Sequence, residues 1–99
     1  MGKIENVVGR RASEAALAFG SLLRNRRRAL KLRQGELALA TGVGRRFLID
    51  LEAGKLSCQL GRSLLVAEAL GLRPADILAG VAALVTAPEL PDVLEEAGE

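Results

Sequence analysis

The chain has 99 residues, of which 49% are hydrophobic and 26% charged, a composition typical of one small globular domain. It has no His and one Cys, so the sequence lacks the commonest general base and metal ligand and cannot form an internal disulfide. Phe19 and Phe47 are its only aromatic residues, which predicts an aliphatic core and no stacking platform for single strands. We expect no enzyme activity, no cofactor and no metal.

The formal net charge of +2 is the average of two unlike regions. Residues 1–55 hold 12 basic and 5 acidic side chains, whereas residues 56–99 hold 2 basic and 7 acidic ones. A basic region indicates an anionic partner, and an ordinary solvated surface is an equal alternative from charge alone. No stretch has the length and hydrophobicity of a signal peptide or a membrane span, and one free Cys suits a reducing compartment. We expect a cytoplasmic protein without a membrane partner.

The two ends of the chain differ from its middle. Residues 1–12 contain two glycines and show weak periodicity, which predicts a flexible arm. Ser13 can cap a first helix that runs to about Leu30 and is strongly basic in its second half. Residues 86–99 hold five acids and no base, which predicts a frayed acidic tail. The expected domain therefore spans residues 13–85.

Four further helices follow, each with an apolar period of 3.6 residues and no competing strand pattern. Glycines follow or end three of them, and proline suits the first position of the last. The predicted spans are Gln34–Thr41, Arg45–Ala53, Leu60–Leu70 and Pro74–Val85. Five short helices indicate a compact all-α domain.

The second and third helices carry the most specific motif. It reads Gln-x-x-Leu-Ala from Gln34, then Gly-Val from Gly42, then Leu-Glu-x-Gly-Lys from Leu51. The small side chain of Ala38 allows two helices to approach closely across a turn at Gly42. These are the requirements of a helix-turn-helix, whose second helix lies in a DNA major groove.

The motif resembles the helix-turn-helix family of lambda- and 434-type repressors, often called the Xre family. The likeness extends from about Phe19 to Gly71 and implies a five-helix lambda-repressor-like DNA-binding domain. Within that family, the run from Arg45 to Lys55 is similar to the HipB-type antitoxins.

The resemblance implies that the third helix reads base edges through Arg45 and Arg46. A guanidinium can contact guanine O6 and N7 together, which is worth roughly 1–3 kcal/mol of discrimination. Asp50 either accepts a hydrogen bond from a cytosine amino group or pairs with Arg46 four residues earlier. Phe47 either packs against the domain or touches a thymine methyl group.

Other residues are expected to contact phosphates or to hold the helices together. Gln34, at the start of the second helix, together with Arg33 and Lys55, is expected to contact the DNA backbone. The alternative for Arg33 and Lys55 is ordinary surface solvation. By resemblance to the family, Arg27 forms an ion pair with Glu52 that ties the first helix to the third.

The fifth helix is more apolar than the surface of a small monomer requires. We expect its apolar stripe to form a homodimer contact, with packing over the core as the alternative. The stripe consists of Ile77, Leu78, Val81, Leu84 and Val85. A dimer suits a palindromic operator because each recognition helix reads only a few base pairs.

These features predict a sequence-specific regulator of transcription that binds double-stranded DNA and acts in the cytoplasm, at the nucleoid. We expect it to repress a promoter, its own included, and to have a toxin as protein partner if it is an antitoxin. The alternative function is a protein interaction module that kept the fold and lost DNA binding, against which Arg45 and Arg46 argue.

Overall fold

Five helices joined by short turns form the part of the chain that the structure describes. The computed structural model describes residues 2–86, with side chains for residues 7–85. The helices are α1 (Gly2–Ala29), α2 (Gln34–Thr41), α3 (Arg45–Glu52), α4 (Leu60–Ala69) and α5 (Pro74–Thr86). Residues 2–86 contain no strand and no helix long and apolar enough to cross a membrane. The predicted all-α class is confirmed, and residues 87–99 of the predicted tail lie outside the described chain.

The predicted bounds of α2, α3, α4 and α5 agree with the structure to within one residue at each end. The turn between α2 and α3 illustrates why these bounds could be predicted. Gly42 has φ of 79° and donates its backbone N–H to the carbonyl of Ala38 at 2.8 Å. Glycine adopts this left-handed conformation without the steric cost that a Cβ atom brings, so the helix ends there.

The start of α1 differs from the prediction. The helix begins at Gly2 rather than at Ser13, so the segment that was expected to be an arm is helical. Gly9 lies in open space and costs a helix only about 1 kcal/mol, and no proline interrupts the segment. The glycines and the weak periodicity were therefore too weak a signal to end the helix.

The core lies where α1, α2, α3 and α4 meet, and it is aliphatic as the composition predicted. Its most deeply buried large side chains are Leu23, Leu37, Leu48, Val66 and Leu70. Burying such a side chain contributes about 1.5–3 kcal/mol to folding. The half-buried Phe19, Phe47, Cys58 and Ile77 pack against this cluster.

Gly20 allows α1 to lie directly against the end of α3. A Cβ atom at this position would lie 2.5 Å from the Leu51 carbonyl oxygen and 2.7 Å from that of Glu52. Both neighbours are backbone atoms, which cannot move aside as a flexible side chain can. The close approach brings the basic half of α1 next to the helix-turn-helix.

The helix α5 packs along α1, and its apolar stripe is divided between core and solvent. Ile77 packs against the core, whereas Leu78 is 73% exposed and Leu84 is also exposed. Val81 and Val85 are half-buried. The stripe therefore covers the core at Ile77 and leaves Leu78 and Leu84, at its two sides, open to solvent.

Candidate nucleic-acid interface

The helices α2 and α3 form a helix-turn-helix, and buried side chains fix the angle between the two helices. Leu37 and Val43 are buried together with Leu48 on α3. Thr41 ends α2 and donates its hydroxyl to the carbonyl of Leu37 at 2.9 Å. The Thr41 hydroxyl oxygen in turn accepts the backbone N–H of Val43 at 3.4 Å, so the turn is hydrogen-bonded as well as packed.

Arg45 and Arg46 occupy the first two positions of α3, and both are exposed. The Arg46 side chain is 82% accessible and its Nε lies 3.4 Å from Oδ1 of Asp50. Two long cationic side chains at the exposed start of a helix can reach groups well beyond the protein surface. This arrangement suits contact with the edges of bases in a groove.

Asp50 joins the two ends of the exposed face of α3. Its carboxylate lies between Arg46 and Lys55, whose Nζ is 3.5 Å from Oδ2. The Asp50 side chain is only 20% accessible, whereas its two partners are well exposed. The geometry favours a role in orienting these cations, and a direct contact of Asp50 with cytosine stays a prediction.

The three residues expected at phosphates lie at the two ends of the motif. Arg33 is exposed, and its backbone N–H donates to Oε1 of Glu36 at 2.7 Å, which helps to start α2. Lys55 is exposed just after α3. Gln34 is half-buried and donates its Nε2 to Oε1 of Glu52 at 3.0 Å. Part of the Gln34 amide is thus used inside the protein, which the motif alone could not reveal.

Arg27 and Glu52 form a buried, bidentate ion pair between α1 and α3. The Nε to Oε2 distance is 2.7 Å, and the distance from the second terminal nitrogen to Oε1 is 2.9 Å. Arg27 also donates to the carbonyl of Leu32 at 2.8 Å. The hydrogen bond to Glu52 raises the pKa of Arg27 above its usual value, against the opposing effect of burial.

A cleft of about 720 Å³ opens between the end of α1 and the starts of α2 and α3. Arg28, Arg33 and Arg45 line it, together with Leu39 of α2 and a single carboxylate, Glu36. Sequence reasoning did not assign a role to Arg28. The run of arginines at residues 26–28 was the available signal, but it does not say which side chains face the cleft.

Phe47 and Cys58 both pack against the core, which indicates structural roles for them. Phe47 is half-buried against the core, with the Arg62 guanidinium 5.9 Å from its ring centre, a distance compatible with a cation–π contact. Burial, with a smaller contribution from Asp50, raises the pKa of the Cys58 thiol above its usual value. A raised pKa disfavours the reactive thiolate, as suits an apolar filler.

Comparison with known proteins agrees with this geometry. Residues 23–77 match a family described as helix-turn-helix. The chain is also 52% identical over 61 residues to an uncharacterized HTH-type transcriptional regulator, y4mF, of Sinorhizobium fredii. That match covers 62% of this chain and 79% of the relative. No solved structure matches the chain significantly. The chain thus belongs to the Xre/lambda-repressor-like helix-turn-helix family, whose members bind double-stranded DNA and regulate transcription.

Proposed function

We propose that the protein represses transcription by inserting α3 into the major groove of a specific operator. The observation that carries the proposal is the exposed pair Arg45 and Arg46 at the start of a recognition helix. Each guanidinium can form a bidentate contact with guanine, and the Asp50 carboxylate restrains Arg46 before DNA arrives. An acidic or apolar start of α3 would have supported the interaction-module alternative instead.

Contacts with the DNA backbone fix the position of α3 on the duplex. Arg33 and Lys55 flank the helix-turn-helix and bind phosphates on either side of the groove. Gln34 acts partly through the backbone N–H groups at the start of α2, because its side chain also holds Glu52. Such contacts carry affinity and orientation rather than sequence information.

The operator is a palindrome bound by a homodimer. Leu78 and Leu84 are exposed apolar side chains at opposite sides of the α5 stripe, and a second copy of the chain can cover Leu78. Twofold pairing places two recognition helices about one turn of DNA apart. The dimer therefore gains specificity that one short helix cannot supply.

Repression follows from occupancy alone. A protein seated across a promoter excludes polymerase without any catalytic group. We include the protein's own promoter among its targets. A rising concentration of the protein then represses its own transcription. Reporter expression from that promoter, with and without the protein, tests this step, and unchanged expression would contradict it.

The similarity to HipB-type antitoxins extends the proposal to a toxin–antitoxin pair. In that role a toxin binds a surface away from α3 while the antitoxin holds the operator. The neighbouring gene should then encode a protein that copurifies with this chain at a fixed ratio. A gene neighbourhood without such a protein would remove the antitoxin role and leave repression intact.

The DNA-binding claim is tested with an Arg45→Ala, Arg46→Ala double variant on the protein's own promoter fragment. Both side chains are exposed, so folding is expected to be unchanged by circular dichroism. We expect at least a tenfold loss of affinity for the preferred site, since each bidentate contact is worth roughly 1–3 kcal/mol. The control is Arg10→Ala, Arg11→Ala, which removes the same charge from an exposed part of α1. Equal binding by the two variants would overturn the site.

A further inference from the structure

A second, smaller cavity lies along α1 next to the arginine-lined cleft of about 720 Å³, which we call the basic cleft. It has a volume of about 310 Å³ and lies between α1, the start of α2 and the end of α3. Arg27, Arg28 and Gln34 line both spaces, so the two are neighbours on one surface. Arg24 lines only the smaller cavity. Together five arginines and two glutamates line this surface, which is therefore strongly positive.

Arg24 differs from Arg26 and Arg27 of the same helix because its Nε has no hydrogen-bond partner in the described part of the chain. Its Nε is buried, and no hydrogen-bond acceptor meets it among the described residues. In contrast, Arg26 donates its Nε to the carbonyl of Leu70 at 2.9 Å, and Arg27 donates its own to Glu52. A buried charged donor without an acceptor is costly. An acceptor from outside the chain would remove that cost.

We propose that Arg24 and Arg28 bind a phosphate of the DNA backbone at the smaller cavity. The inference rests on the proposed function and adds a contact on α1 to those of the helix-turn-helix. Arg24 and Arg28 are four residues apart, so their side chains lie on one face of α1. Their guanidinium groups match the oxygens of a phosphate, and the ion pair with Arg27 already satisfies Glu52.

The position of the cavity links this phosphate to base reading. The larger cleft leads from Arg28 to Arg45 at the start of α3. A strand that follows this surface passes Arg24 and Arg28 before the groove that α3 enters. Gln34 contacts the cavity and holds Glu52, so the phosphate sits beside the ion pair that ties α1 to α3. Binding of the phosphate therefore favours the arrangement in which the Arg27–Glu52 pair holds α3 against α1.

The first test measures how DNA affinity falls with salt for Arg24→Gln and Arg28→Ala. Loss of this phosphate contact lowers the slope of log affinity against log salt by up to about 0.9, or up to about 1.8 for a dimer. The loss of affinity should be equal on the preferred site and on scrambled duplex, because phosphates carry no sequence. Arg11→Ala is the control, an exposed arginine of the same helix about 25 Å from Arg28 at 1.5 Å per residue.

The second test uses duplexes with one neutral methylphosphonate at successive positions. At one position per half-site the change should weaken wild-type binding strongly and weaken binding by Arg28→Ala less, because only Arg24 then contacts that phosphate. Arg28 is exposed, so this variant is expected to fold even if Arg24→Gln does not. The inference would be overturned if both variants had the salt slope of the wild type and if Arg28→Ala responded to each methylphosphonate as the wild type does. Loss of sequence preference in the Arg45, Arg46 variant would still support the proposed function.

Discussion

Arg27 on α1 and Glu52 at the end of α3 are 25 residues apart in sequence and form a bidentate pair with distances of 2.7 and 2.9 Å. Gln34 at the start of α2 donates to the same carboxylate. One carboxylate therefore holds the three helices that surround the basic cleft. Because the pair is buried, each partner depends on the other for its charge to be tolerated.

Replacing Glu52 by leucine should destabilise the protein by about 3–5 kcal/mol, because it leaves the buried Arg27 guanidinium without its counter-charge. Urea unfolding followed by circular dichroism measures the change. The double variant Arg27→Met, Glu52→Leu should recover much of this loss, since neither charge is then stranded. A single Glu52→Leu variant as stable as the wild type would show that the pair does not hold α1 to α3.

Gly20→Ala should destabilise the protein by roughly 1–3 kcal/mol, because the new methyl group would meet the carbonyl oxygens of Leu51 and Glu52. The control is Gly61→Ala on α4, where a Cβ atom meets nothing within 4 Å. The control should gain up to about 1 kcal/mol from helix propensity. Thermal melts of the two variants measure the difference, and a Gly20→Ala variant that melts no lower than the wild type would contradict the close approach.

Lys31→Gly should stabilise the protein by up to about 1 kcal/mol. Lys31 follows the end of α1 with φ of 61°, the left-handed region that favours glycine. Lys31→Ala removes the same side chain without relieving the backbone and serves as the control. If both variants shift the melting temperature equally, the side chain and not the backbone conformation sets the effect.

Leu78→Asp should convert the proposed homodimer to a monomer without unfolding it. The side chain is already 73% exposed, so the folded monomer tolerates a charge there, whereas an apolar interface does not. Sedimentation velocity at tens of micromolar measures the state. Leu56→Asp, at another exposed leucine, should remain dimeric. A wild-type protein that sediments as a monomer would refute the dimer.

The sequence predicted the four later helices well because their ends carry glycine or proline, whose backbone preferences act locally. The predicted start of α1 was wrong because weak periodicity does not stop a helix in a segment that lacks a proline. The pairing of Asp50 with Arg46 could be anticipated from their spacing on one helix, whereas Gln34 and Glu52 lie on different helices and meet only in the fold. For the same reason, the sequence could not distinguish Arg24, whose buried Nε has no acceptor among the described residues, from Arg26 and Arg27, whose Nε groups have one.

Selection of duplexes from a random DNA pool tests the central claim most directly. The wild-type protein should enrich a palindrome whose half-sites are about one helical turn apart, and Arg45→Ala, Arg46→Ala should lose that preference. The variant should still retain salt-dependent affinity for any duplex through its phosphate contacts. A pool with no enriched sequence, or the same palindrome selected by wild type and variant, would contradict recognition by α3.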